Sequence, residues 1–186
     1  MKVFSIGNLK LGKDTMIFNM GTATDCISKK MGLCKVGEKC YALKAERMYK
    51  DCIPYRERQG SFWKVCSPQE FINQLVLEKT SKIKYFRFNE AGDFSTQKDV
   101  DKLSKIALTL KKEYGIVTYG YTARKDLDFS SVNFIVNGSS FMAHNNFKYI
   151  PKDHPTDMSL PVCPGSCKTC NLCKENNGLT IQINQH

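Results

Sequence analysis

The sequence predicts an α/β protein, built as an abbreviated parallel sheet or a partial (β/α) barrel with a cysteine-rich C-terminal tail. Three observations carry that prediction. Short β-branched and aromatic runs alternate with amphipathic helical segments, which implies parallel strands joined by crossovers. Only the early connections hold clear helices, and the later ones are short, so the architecture should be cut down. No internal repeat, low-complexity block or long linker divides the 186 residues. A single domain is therefore expected over 1–186, with an α/β core in 1–150 and a tail in 151–186 packed on it.

Taken in order, residues 16–20 (Met-Ile-Phe-Asn-Met) read as a short strand, followed by Gly21 and a cysteine-bearing loop. A helix is expected over 37–50, because Tyr41, Ala45, Met48 and Tyr49 fall on one face with good helix formers between them. Residues 51–65, with Pro54, Gly60, Phe62 and Trp63, read as irregular and aromatic. Ser67 and Pro68 then open a helix as N-cap and first-turn proline, and Phe71, Ile72, Leu75 and Val76 form its buried stripe. A strand is predicted over 83–88. The long helix over 97–113 follows from Val100, Leu103, Ile106, Ala107 and Leu110 at spacings of three and four. Tyr114-Gly115 ends it. Further strands are expected over 116–121 and 133–136, and weaker ones over 147–150 and 179–183.

Composition narrows the function classes. At 41% hydrophobic content the chain can bury a core without cross-links. The net charge of +10 is partly local: between Cys26 and Cys66 ten basic residues face four acids, a net of +6. Such a segment attracts nucleic acid or phosphorylated ligands. The plainer alternative is a solvated helical face, and no recognisable nucleic-acid motif accompanies the charge. The N-terminus lacks the apolar stretch of a signal peptide, and no segment reaches membrane-span length, so a cytoplasmic protein with no membrane partner is expected. Nine cysteines cannot all pair within one chain. In a reducing compartment thiols persist and metals claim them.

The cysteines themselves are the strongest chemical signal. Cys163, Cys167, Cys170 and Cys173 form a C-x3-C-x2-C-x2-C run, with Pro164, Gly165, Ser166 and Asn171 in the gaps. Four thiols at that spacing suit one metal ion or one iron–sulfur cluster better than a disulfide knot. A second group, Cys26, Cys34 and Cys40, lies after the first predicted strand. Three thiolates can hold three irons of a [4Fe–4S] cluster and leave the fourth iron open, the arrangement that radical enzymes use to bind S-adenosylmethionine. His144, His154 and His186 are scattered, without finger-type spacing, and read as surface or terminal residues.

Ligands of α/β folds collect beyond the C-terminal ends of the strands. That rule groups the cysteine trio with Glu90 and Asp93, with Thr122-Ala123-Arg124, and with Asn137-Gly138-Ser139-Ser140. Each has a plain alternative: Asp93 can cap a turn, Arg124 can pair with Asp126 or Asp128, and Ser139 can be ordinary loop. Their coincidence at four strand ends is what points to a functional rim.

These motifs bring a resemblance. Gly7-Asn8-Leu9-Lys10-Leu11-Gly12-Lys13, the Cys26…Cys34…Cys40-Tyr41-Ala42 module and Arg87-Phe88-Asn89-Glu90-Ala91-Gly92-Asp93-Phe94 resemble signatures of the bacteriophage gene-product-eighty-eight-like family. Tyr121-Thr122 and the cysteine-rich tail are similar too, so the likeness runs along nearly the whole chain. It is more distantly similar to radical S-adenosylmethionine proteins. The resemblance implies phage origin, hence the cytoplasm of an infected host, and an iron–sulfur centre, without supplying a reaction.

Together these readings lead to an iron–sulfur protein with a radical-enzyme-like core. The tail quartet would hold one [4Fe–4S] cluster, and Cys26, Cys34 and Cys40 a second or a shared site. Cys52 or Cys66 could substitute as a ligand. Glu90, Asp93 and Arg124 would bind a polar ligand such as S-adenosylmethionine, whose amine suits a carboxylate and whose carboxylate suits a guanidinium. Two other classes stand beside this one. One is a zinc-stabilised module that contacts nucleic acid through residues 26–66. The other is an electron carrier that serves a redox partner without substrate chemistry of its own.

Overall fold

A computed structural model describes residues 2–184; His186 lies outside the described residues. Seven strands form one open sheet in sequence order: β1 (Ser5–Ile6), β2 (Thr15–Phe18), β3 (Tyr85–Phe88), β4 (Val117–Thr122), β5 (Ile135–Ser139), β6 (Asn145–Ile150) and β7 (Thr180–Asn184). Only β1, which the sequence reading did not anticipate, is antiparallel to its neighbour. Five helices accompany them: α1 (Ile27–Lys30), α2 (Tyr41–Met48), α3 (Cys52–Val65), α4 (Pro68–Glu78) and α5 (Gln97–Tyr114). The fold class is thus α/β with a mostly parallel, open sheet. Among the described residues no helix is long and apolar enough to cross a membrane.

Two segments depart from the sequence reading. The helix expected over 37–50 is split into a 3₁₀ turn, Gly37–Lys39, and α2, because Cys40 between them takes an extended backbone and becomes the N-cap of α2. Residues 52–65, expected to be irregular, form the 14-residue helix α3. Its buried face is Arg56, Gln59, Gly60 and Trp63, which has helical spacing but only one large apolar residue, so hydrophobic periodicity could not reveal it. Pro54 falls in the first turn, where a missing N–H leaves no helical bond unmade. Gly60 lies where an added Cβ would come within 3.0 Å of the Met20 carbonyl, so α3 packs directly on the chain leaving β2.

Strand alternation divides the side chains between two faces. Phe86 and Phe88 of β3 join Phe4, Phe18, Trp63, Phe71, Val100, Leu103, Ile106 and Val136 in the main core under the helices. The rings pack edge to face, with Phe71 at 4.9 Å from Phe18 and 5.1 Å from Phe4. On the opposite face Tyr85, Tyr119, Tyr121, Phe147 and Ile181 are covered by residues of the C-terminal tail, including Cys163, Leu172 and Cys173. The tail therefore lies over a sheet face, not across an end, and then supplies β7 to the sheet itself.

The parallel pair β5 and β6 is joined by residues 140–144 alone, far less than the dozen or so residues such a crossover usually takes. Gly138 makes this return feasible. A Cβ there would sit 2.3 Å from the Phe141 carbonyl oxygen, so the chain doubles back directly over a residue with no side chain.

Candidate metal centre and the rim beside it

The tail from Pro151 to Gly178 contains almost no regular structure and is held by hydrogen bonds at spaced points. Val162 bridges to Gln182 along the outer edge of β7, and the Cys163 amide donates to the Gln182 carbonyl at 2.8 Å. The Cys167 amide donates to the Lys10 carbonyl at 2.8 Å. Asn137 and Asn145, both fully buried on neighbouring strands, donate to the Cys173 and Glu175 carbonyls. These anchors bring Cys163, Cys167, Cys170 and Cys173 onto one small hollow of about 20 Å³, walled by Tyr121, Phe147, Leu172 and Ile181. That is the space of a single water-sized sphere. All four thiols are free. Among the described residues, no three Cys, His, Asp or Glu side chains already stand as a ligand set about one point.

The electrostatics of the hollow are uneven. Cys167 and Cys173 are close enough to influence each other's charge. That proximity, aided by the charges of Arg87, Lys174 and Lys10, holds Cys167 below the ordinary thiol range against the effect of burial. Cys173 moves the other way, through the same proximity and through burial. Arg87 stacks over Tyr121 at 5.1 Å, and the buried Lys174 ammonium sits 4.1 Å over Tyr85.

The rim at the ends of β2, β3 and β4 is organised around Asp93. This buried carboxylate accepts hydrogen bonds from the Ser28 hydroxyl, the Thr122 hydroxyl (2.7 Å) and the amides of Ala123 (2.9 Å) and Phe94 (2.9 Å). Burial raises its pKa, and the four donors only partly offset the rise. Asp93 therefore ties the cysteine loop to β4. Gly92 beside it faces Gly21, where a Cβ would meet the backbone nitrogen at 2.8 Å, so the loops after β2 and β3 interlock without side chains. Arg124 is likewise engaged by the protein. It donates to the carbonyls of Phe94 and Ser95 and forms a two-point pair with Asp126 at 2.9 and 2.8 Å. Glu90 is more open: its carboxylate accepts a 3.4 Å bond from Asn8 and stands 3.8 Å from Arg87.

Of the first cysteine group, Cys26 caps α1 and lies near both Cys34 and Asp93. Burial, then the Asp93 charge, pushes its thiol up to about 11. Cys34 hangs from the Ser28 carbonyl by its amide at 3.2 Å, and Cys40 packs against Ala42, Leu43 and Ala91. Cys52 opens α3 near Glu46 and Glu90. Cys66 instead belongs to the helix-side core, with Lys102 at 3.5 Å from its sulfur.

Several residues of this region were not singled out as site residues from the sequence, although Tyr41, Arg87 and Asn89 lie in its quoted motifs. Glu46 is fully buried and accepts from the amides of Ala23 (2.6 Å) and Thr24 (2.9 Å), from the Thr24 hydroxyl and from Arg56 at 2.8 Å, so it clamps the loop that leads to Cys26. Tyr41 donates to the Glu90 carbonyl at 2.9 Å and accepts from Arg87 at 3.2 Å. Asn89, directly after β3, has a left-handed φ of 55°, and both ends of its buried amide lack a hydrogen-bond partner. Arg87 and Lys174 were also missed. Alternation along β3 puts Tyr85 and Arg87 on the tail-covered face, a signal that was legible; for Lys174 only adjacency to Cys173 hinted at a role.

The basic segment is less bare than its composition suggests. Lys29 and Arg47 both pair with Glu38, Lys30 pairs with Asp25, and Arg56 is buried against Glu46. Comparison with known proteins finds no matching family model, no similar curated protein and no similar solved structure.

Proposed function

We propose that the chain is an iron–sulfur protein whose tail residues Cys163, Cys167, Cys170 and Cys173 hold a [4Fe–4S] cluster. The observation that carries this reading is the single apolar hollow onto which all four free thiols open. The donor set suits the group, since four thiolates are the usual cluster ligands and apolar walls keep water from the sulfurs. A bound cluster supplies one-electron chemistry. The chain's own part is to present the thiolates, through backbone anchors at Gln182, Lys10, Asn137 and Asn145, and to shelter them with Phe147, Leu172 and Ile181.

An electron-carrying role has more support than radical chemistry on a substrate. Asp93 and Arg124, the residues first considered for S-adenosylmethionine, direct their polar atoms to protein partners. Glu90 keeps the freer carboxylate, and Cys26, Cys34 and Cys40 remain the candidates for a second or shared site. Phage origin, and with it the cytoplasm of an infected host, rests on the sequence resemblance alone.

A second reading, one structural Zn²⁺ on the same quartet, is favoured by the small size of the hollow, with the thiols closing in on the ion as it binds. In that version the unpaired cations of segment 26–66 would meet nucleic acid. Anaerobic purification with iron and acid-labile sulfide analysis separates the two. The cluster reading expects a brown protein with about four irons and four sulfides per chain, abolished by Cys170→Ser. A colourless protein with stoichiometric zinc and no labile sulfide would replace it with the zinc reading.

A further inference from the structure

Beneath the tail lie two cations, Lys174 with no carboxylate partner among the described residues and Arg87 with a loose one in Glu90 besides its bond to the Tyr41 hydroxyl. Lys174 is only 5% exposed. Its ammonium contacts the Cys167 carbonyl at 3.2 Å, the Asn171 side-chain oxygen at 3.3 Å and the Tyr85 ring, and among the described residues it forms no ion pair with a carboxylate. The Arg87 side chain is 13% exposed, its one acidic neighbour is Glu90 at 3.8 Å, and its Nε is buried without an acceptor. Buried charge without a counter-charge is costly, and proteins retain it where an anion completes the site. Both cations adjoin the hollow. Lys174 holds the backbone of Cys167, and Arg87 lies over Tyr121, both residues of the hollow's wall.

The charge of the missing counterpart follows from the ligands. Four thiolates around Zn²⁺, or around a [4Fe–4S]²⁺ core, leave a net double negative charge. Two cations would balance it. Building on the tail-centre reading above, we propose that Arg87 and Lys174 are the charge partners of the loaded centre, strengthening metal binding and, for a cluster, raising its reduction potential. They are positioning residues: they touch the thiolate-bearing segment and its tyrosine neighbours, not the reacting atoms. A purely structural alternative exists for Lys174, since its hydrogen bonds also tether the Cys167–Asn171 turn.

The test titrates Co²⁺, in competition with a chelator, into metal-stripped full-length protein under anaerobic conditions. Iron and sulfide reconstitution with potentiometry runs in parallel. Lys174→Met and Arg87→Met are expected to weaken Co²⁺ binding about 10- to 100-fold, as loss of an outer-shell partner does, and to move the cluster potential to more negative values. The charge-keeping Lys174→Arg and Arg87→Lys should stay close to wild type in both readouts, which a role in hydrogen-bond geometry alone would not produce. Should one methionine variant fail to fold, the other carries the comparison. Co²⁺ affinity and potential unchanged in a folded methionine variant would overturn the proposal while leaving the tail centre in place. If wild-type protein bound neither Co²⁺ nor a cluster through the tail, both would fall.

Discussion

The two faces of the sheet are held in different ways. Under the helices, aromatic rings from β2, β3, α3 and α4 interlock with the apolar stripe of α5, and the residues in contact are almost all apolar. Under the tail, a smaller apolar cluster is interleaved with tyrosines, two cations and thiols, and the covering chain is fastened by spaced hydrogen bonds, not by regular structure. The helix side is held mainly by burial of apolar surface, with Arg56 and Gln59 bonded at its margin. The tail side keeps polar and charged groups whose complement within the protein is incomplete.

The largest effect on metal-free stability should come from the helix side. Phe71→Ala removes the ring at the centre of the aromatic cluster and is expected to cost about 3–5 kcal/mol, measured by denaturant unfolding. Metal should not change that loss, and if it did, the two faces would not be independent. Breaking the Glu46–Arg56 pair is next. Glu46→Gln keeps the shape but leaves Arg56 a buried cation, for a loss of up to about 3–5 kcal/mol. Burial works to raise the Glu46 pKa, but its bonds from Ala23, Arg56 and Thr24 win and lower it. Its contribution is therefore complete above the unfolded glutamate pKa of about 4.3 and is lost as pH falls through the lower folded value. The acid limb of the Tm–pH curve should lose that part in the variant.

A smaller change is expected at the short return between β5 and β6. Gly138→Ala forces a methyl against the Phe141 carbonyl and should cost about 1–3 kcal/mol, with hydrogen exchange quickened at β5 and β6 before β3. The smallest is Cys170→Ser, a half-buried thiol with no structural bond of its own. It should alter metal-free stability by less than about 0.5 kcal/mol while abolishing loading of the tail. A large loss of apo stability in this variant would mean that the thiols hold the tail without any metal.

Much of the fold could be read from the sequence where one residue class repeats at one period. The stripe of α5 and the Ser67-Pro68 start of α4 are such places, and both helices lie where expected. Strand α/β alternation was legible for the same reason. What stayed hidden were elements whose buried face is polar. Helix α3 hides Arg56 and Gln59 inside, and these are matched by Glu46, Asn19 and the Val3 carbonyl, partners distant in sequence. No periodicity can announce a hydrogen bond across such separations. The candidate site divides in the same way. Spacing grouped the tail cysteines, and they share one hollow. Asp93 and Arg124 were picked out by position; Asp126 was already offered as a partner for Arg124, but the engagement of Asp93 by Ser28 and Thr122 could not be read from the sequence.

The short pairing of Val162 with Gln182 has a consequence for self-association. An open sheet ends in two margins, and each offers unpaired amides and carbonyls to any strand that arrives. At the β7 margin the chain supplies its own guard, the same stretch that carries Cys163. Whatever loosens the sulfur-bearing loop therefore also bares a template for a second copy of the protein. If the tail holds a metal as proposed, stripping it would be expected to favour self-association through this margin.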